Sequence, residues 1–132
     1  MRPPLVRNSC KGLVDYIAIH YRCVAEAGIG HFPDVALALA KKTHLAFATD
    51  IKPLEHCGLR VIHDDVTEPD WSLYAGLDLI YSLRPPPELV LYMKRLARSL
   101  SADLIVKPLA SEHPGGQLTR HGTSTFFLWK FS

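Results

Sequence analysis

The stretch Val24-Ala25-Glu26-Ala27-Gly28-Ile29-Gly30-His31-Phe32-Pro33-Asp34 decides the fold. Arg22 to Ala27 is a short apolar run that closes around Glu26, the pattern of a buried strand. Gly28 and Gly30 then let the chain turn sharply, because glycine alone adopts positive φ without steric cost. Pro33 suits the first position of a helix, where its missing N–H costs nothing. Asp34 in the first turn complements the helix dipole, as do Lys41 and Lys42 at the other end. Strand, glycine turn and helix (Pro33 to Lys42) form the first half of a β-α-β unit.

Working outward, the same alternation continues. A second strand, Leu45 to Thr49, ends at Asp50 and is stopped by Pro53. Gly58 opens a third, Leu59 to Ile62, which ends at Asp64 and Asp65. A fourth spans Leu77 to Ser82. Pro85 to Pro87 then open a long helix with Leu89, Met93, Leu96 and Leu100 on one face and Lys94, Arg95 and Arg98 opposite. The fifth strand is Asp103 to Lys107. After the Pro114-Gly115-Gly116 loop, Gln117 to Phe131 reads as a hairpin around His121-Gly122. Upstream, Leu13, Val14, Ile17 and Tyr21 recur at helical spacing, so a first helix is expected from Ser9 to His20, with Asn8 and Ser9 as N-cap candidates. Strands alternating with helices predict a three-layer α/β/α Rossmann-like sheet of five parallel strands, completed by antiparallel C-terminal strands. No linker, repeat or low-complexity segment divides the chain, so residues 1–132 are expected to form one domain.

Composition bounds the function. At 48% hydrophobic and 21% charged, 132 residues can bury a core but leave no room for separate cofactor and substrate domains. Fifteen basic against 13 acidic residues give a net charge of +2, which does not indicate nucleic-acid binding. Cys10, Cys23 and Cys57 are widely spaced without a C-x-x-C, which fits free thiols in a reducing cytosol. The apolar run Leu13 to Ile19 is broken by Asp15, and no stretch reaches the length of a membrane span. A cytoplasmic protein without membrane association is expected.

In such a sheet, ligands bind beyond the carboxyl ends of the strands. The polar residues gather there: Glu26 with Gly28 and Gly30, then Asp50, then Asp64 and Asp65, then Ser82 and Arg84. Gly30 would let a ligand approach the backbone. Asp50, 20 residues further on, can accept hydrogen bonds from both hydroxyls of a ribose. These residues suit an adenosine-containing ligand. A dinucleotide fingerprint, G-x-G-x-x-G/A, would place Gly or Ala where Pro33 stands. S-adenosylmethionine (SAM) needs no pyrophosphate grip. It asks instead for acids near the glycine loop and after the third strand, and Glu26 and Asp65 occupy those places.

V-A-E-A-G-I-G at 24–30, A-T-D-I at 48–51 and D-D-V at 64–66 resemble the first three motifs of class I SAM-dependent methyltransferases. More narrowly, A-G-I-G-H-F-P-D-V-A, A-T-D-I, D-D-V-T-E-P and D-L-I-Y-S-L-R-P-P-P-E-L, in that order, resemble an archaeal family of uncharacterised proteins with a methyltransferase-like Rossmann core. The likeness runs from about Asp15 to Glu112. It implies a fold and no established reaction. On it, Glu26, Gly28, Gly30, Asp50, Ile51, Asp65, Val66 and Ser82 are expected to hold the cofactor. Tyr81, Arg84 and Pro85 are expected to border the substrate. Two departures matter. Phe32 stands at the third glycine of G-x-G-x-G, where it either narrows the site or packs on the helix. Arg84-Pro85-Pro86-Pro87 replaces the Asp/Asn/Ser-Pro-Pro-aromatic segment of amine methylating enzymes. An arginine cannot accept an amine's hydrogen bonds, but it can hold a phosphate or carboxylate.

Each feature also has a plainer reading. Gly28 and Gly30 can be turn residues, Asp50 and Asp65 caps, Glu26 a partner of Arg22 or Lys11, and Arg84 a surface cation. Lys94, Arg95 and Arg98 read as a solvated face, and Trp129 with its aromatic neighbours as sheet packing. His63 and Asp64 lack a third metal ligand. The expected function is SAM binding with methyl transfer to an unidentified acceptor. The rivals are an NAD(P)- or other nucleotide-binding module and a non-catalytic interaction protein. With little chain left beyond the fifth strand, specificity is expected to come from a protein partner, a second copy of the chain, or a substrate that needs no cover.

Overall fold

The computed structural model describes residues 5–42, 44–109 and 112–132. The strands β1 (Val24–Ala27), β2 (Leu45–Asp50), β3 (Val61–His63), β4 (Leu79–Leu83), β5 (Asp103–Lys107), β6 (Gln117–His121) and β7 (Ser124–Trp129) form one sheet. Their order is β3-β2-β1-β4-β5-β7-β6. The first five are parallel, and β7 pairs antiparallel with both β5 and β6. The chain runs outward from β1 to β3 and then returns to place β4 on the other side of β1. The switch point therefore lies between β1 and β4, beside the glycine loop.

Helices α1 (Asn8–His20) and α2 (Asp34–Lys41) cover one face of the sheet, and α3 (Val90–Leu100) covers the other. The strand sequences are apolar on both sides because both sides are covered. Val24, Leu79, Tyr81, Ile105, Phe126 and Leu128 pack with α1 and α2. Ala25, Ala27, Ile80, Leu104 and Val106 pack with Met93, Leu96 and Ala97 of α3. No helix among the described residues is long and apolar enough to cross a membrane.

The expected architecture is present, with shifted element ends. β1 begins at Val24, not Arg22, because the amides of Arg22 and Cys23 donate to the Asp78 carboxylate (2.9 Å each) instead of joining the sheet. β3 begins at Val61, since the Leu59 amide turns back to the His56 carbonyl at 3.1 Å. β4 runs Leu79–Leu83 rather than Leu77 to Ser82. Asn8 and Ser9 are not caps. The cap position is Arg7, and the carbonyls of Asn8 and Ser9 accept the hydroxyls of Thr123 and Ser124 at 2.7 Å each. The prolines introduce one 3-10 turn, Pro87–Leu89, before α3 proper starts. A second such turn, Trp71–Tyr74, lies in the connection from β3 to β4, where apolar periodicity was too weak to foresee it. Lys94, Arg95 and Arg98 lie over the rings of Trp129, Tyr92 and Phe131, so this face covers aromatic surface as well as meeting water.

Candidate functional site

The glycine loop is pinned from several sides. Gly28 and Gly30 have φ of +70° and +57°, so the turn requires glycine at both. The amides of Gly28 and Ile29 both donate to the Thr49 carbonyl, at 2.9 and 3.0 Å. The Gly30 amide donates to Oδ2 of Asp50 at 2.8 Å, and the Gly30 carbonyl meets Nε2 of His56 at 2.7 Å. A methyl added at Gly28 or Gly30 would find no atom within 4 Å. The loop thus turns its open side to empty space, and two cavities meet there at Gly28.

The first cavity, about 350 Å³, opens between the ends of β1, β2 and β3 and the start of α3. Its apolar walls come from Ile51, Val66, Leu89 and Met93, and its polar rim from Asp50 and Asp65. Asp65 accepts the amide and hydroxyl of Thr67 on one oxygen, at 2.9 and 2.7 Å. These bonds hold its pKa below the usual carboxylate range. Its other oxygen makes no hydrogen bond among the described residues. Asp50, 8% exposed, accepts from Gly30 on one oxygen and from the Lys52 amide on the other at 3.0 Å. Each oxygen keeps a second lone pair.

The second cavity, about 380 Å³, lies on the α2 side of the loop and is lined by Glu26, Gly30, His31, Phe32 and Arg84. Glu26 is 1% exposed and accepts the Tyr81 hydroxyl at 2.7 Å. Burial raises its pKa to about 8, against the lowering effect of that hydrogen bond, so the carboxyl is largely protonated at neutral pH. Its partner is neither Arg22 nor Lys11. Phe32 does not pack into the helix. It is 58% exposed and lies between two guanidinium groups, Arg84 at 4.9 Å and Arg7 at 5.2 Å from the ring centre. Arg84 itself has φ of +51°, uncommon for a residue with a side chain, and its amide continues the β4–β5 ladder to Lys107 at 2.7 Å.

The structure therefore brings Glu26, Gly28, Gly30, Asp50, Ile51, Asp65, Val66 and Arg84 around two joined cavities. It places the other three site candidates elsewhere. Tyr81 is fully buried beneath Glu26. Ser82 is buried, its hydroxyl donating to the Ala27 carbonyl at 2.7 Å and tying β4 to the end of β1. Pro85 is buried, and Pro86 lines the first cavity instead. Tyr81 and Ser82 sit at a strand end in sequence, but both hydroxyls donate to residues of β1. His56, Pro86, Leu89 and Met93 join the site from a loop and a helix start, and nothing in local spacing marks them.

A family model described as "Uncharacterised protein family (UPF0146)" matches residues 11–129. The chain belongs to the UPF0146 family. The UPF0146 protein of Archaeoglobus fulgidus is 41% identical over 120 residues, covering 88% of this chain and 91% of the relative. That of Methanocaldococcus jannaschii is 44% identical over 96 residues, 69% of each chain. Among solved structures, the sugar N-methyltransferase KedS8 from Streptoalloteichus superposes with a TM-score of 0.54 at 11% identity, over 83% of this chain and 53% of that one. The N-terminal domain of EvdMO1, solved with S-adenosylhomocysteine (SAH) bound, gives 0.54 at 14% identity, over 96% and 66%. This UPF0146 chain thus has the Rossmann-like fold of SAM-dependent methyltransferases, and it spans about half to two thirds of those two structures.

Proposed function

We propose that this chain binds SAM across the two cavities that meet at Gly28 and passes its methyl group to an acceptor. The observation that carries the reading is the division of chemistry across one glycine. One cavity has apolar walls with carboxylates at its rim, as an adenosine requires. The other is floored by a buried carboxyl, as an amino-acid ammonium requires. Their volumes lie within the ordinary range of small-molecule sites, about 300–1,000 Å³. The open space at Gly28 and Gly30 leaves room for a ligand against the backbone.

In this reading Asp65 accepts the adenine amino group on its unengaged oxygen, and Ile51 and Val66 flank the ring. Asp50 accepts the ribose hydroxyls on its remaining lone pairs while still holding Gly30. Glu26 ionises beside the ammonium. When bound, the cofactor supplies a methyl carbon already activated by a sulfonium. The protein's contribution is then chiefly alignment and exclusion of water. The pinned glycine loop provides rigidity for that alignment.

A pyrophosphate cofactor is supported less well. The amides of Gly28, Ile29 and Gly30 are all engaged by β2 or Asp50, and Pro33 has none to give. The carboxylate of Asp34 already occupies the first turn of α2, held by Nε and Nη2 of Arg7 at 3.0 and 2.9 Å. It would repel a second anion there. Calorimetric titration with SAH, NAD and NADP tests the proposal. SAH is expected to bind and to lose about 10–100-fold in affinity in Asp65→Ala, the loss of a charged hydrogen bond. NAD or NADP binding that ignores Asp65→Ala, or no binding of SAH at all, would overturn it.

A further inference from the structure

A third cavity, about 420 Å³, lies across Arg84 from the glycine loop. It opens between the start of α1, the ends of β4 and β5, and the β6–β7 hairpin. Leu83 and Arg84 line both this cavity and the Glu26 cavity, so the two share a wall. Its charged lining is cationic in balance: Arg7, Arg84 and Lys107 against the carboxylate of Glu112.

The cations differ in how far they are engaged. Arg7 is neutralised by Asp34, with which it forms a two-pronged ion pair. Lys107 donates to the Thr125 carbonyl at 2.8 Å, which holds its ammonium at the hairpin wall and leaves two N–H groups. The guanidinium of Arg84 rests on Phe32 and keeps its N–H donors. Neither Arg84 nor Lys107 has a carboxylate within ion-pair distance among the described residues. Arg84 and Lys107 follow each other at the carboxyl ends of the central strands β4 and β5, and both line this cavity.

We propose that this third cavity is an oxyanion site, in which Arg84 and Lys107 grip the phosphate or carboxylate of a small second substrate. A planar guanidinium offers two parallel donors to such a group, and the ammonium adds a third. Leu83 and Arg84 form the wall shared with the Glu26 cavity, so a ligand held by Arg84 lies next to it. The role as seat of the methyl acceptor rests on the cofactor reading above. The anion binding itself does not.

Titration of the whole protein with inorganic phosphate and with malonate, in buffer of low ionic strength, tests the site. Saturable binding is expected, and whichever anion binds more tightly names the oxyanion. Arg84→Gln and Lys107→Gln are each expected to weaken it about 10-fold or more, the loss of a charge-assisted hydrogen bond. Glu112→Gln, on an exposed residue, is expected to strengthen it by removing the opposing charge, an effect a merely structural role would not produce. Lys107 lies outside both glycine-loop cavities, so Lys107→Gln should leave SAH affinity unchanged. Phosphate or malonate binding in a protein that takes no SAH would support the oxyanion site and overturn the cofactor reading alone. Failure of both anions to bind, or equal binding in the wild type, Arg84→Gln and Lys107→Gln, would overturn the site.

Discussion

Glu26 carries a carboxyl group into a place that water scarcely reaches, with one phenol as its hydrogen-bond partner. Its pKa near 8 in the folded chain stands well above that of an exposed glutamate. As pH rises, the unfolded chain therefore loses this proton first. The stabilising difference is complete below about pH 4.5 and is lost progressively until about pH 8. Glu26→Gln keeps the shape of the neutral acid and still accepts the Tyr81 hydroxyl. Denaturation between pH 5.5 and 7.5 should show the wild type losing stability with pH and the variant losing less. Parallel slopes would refute a neutral Glu26. A bound ammonium should also drive the proton off. SAH titrations at pH 7 in buffers of different ionisation enthalpy are expected to show proton release in the wild type and none in Glu26→Gln. The position of Glu26 was legible from sequence, since an acid inside an apolar strand is conspicuous. Its partner was not, because Tyr81 lies 55 residues away and meets it only through the β1–β4 register.

At the scale of elements, the approach of α1 to the β6–β7 hairpin depends on one atom that is absent. A methyl at Gly12 would stand 1.9 Å from the His121 carbonyl oxygen, a backbone atom that cannot swing aside. Glycine within a helix costs about 1 kcal/mol relative to alanine, so its presence in α1 has a packing reason. Gly12→Ala should therefore destabilise the protein by about 1–3 kcal/mol or more, despite its better helix propensity. A stability equal to the wild type in urea would show that the hairpin is not seated as described. The hairpin itself was readable from alternating aromatic residues around Gly122. Its docking onto the start of α1, by Thr123 and Ser124 on the carbonyls of Asn8 and Ser9, joins opposite ends of the chain and leaves no local signal. For the same reason Asn8 and Ser9 looked like caps and are not.

Across the whole molecule, the end of α1, the C-terminal residues and the sheet close on Asp103. Its carboxylate accepts the Tyr21 hydroxyl at 2.7 Å, the Ser132 hydroxyl at 2.8 Å and the amides of Phe131 and Ser132 at 3.0 and 3.2 Å. Burial pushes its pKa up, and these bonds more than offset that, leaving it below the usual carboxylate value. The stabilisation is thus present above about pH 4 and lost as pH falls through the lowered pKa. Asp103→Asn should cost about 1–3 kcal/mol at neutral pH, with the difference from wild type shrinking in acid. An unchanged melting temperature at pH 7 would contradict it. The parallel core could be read from strands that alternate with helices. The insertion of β7 between β5 and β6 could not, since a hairpin sequence does not say which strand meets the sheet. What the assembled sheet adds to the sequence motifs is their convergence on Gly28. The cavities on either side of that glycine are proposed to hold one SAM-like molecule. The most direct measurement is the amide NMR spectrum of the labelled protein during titration with SAH. The amides of Gly28, Ile51 and Thr67 are expected to shift together with those of His31 and Phe32, in a single saturable process. Shifts confined to one cavity, or none at millimolar SAH, would contradict it.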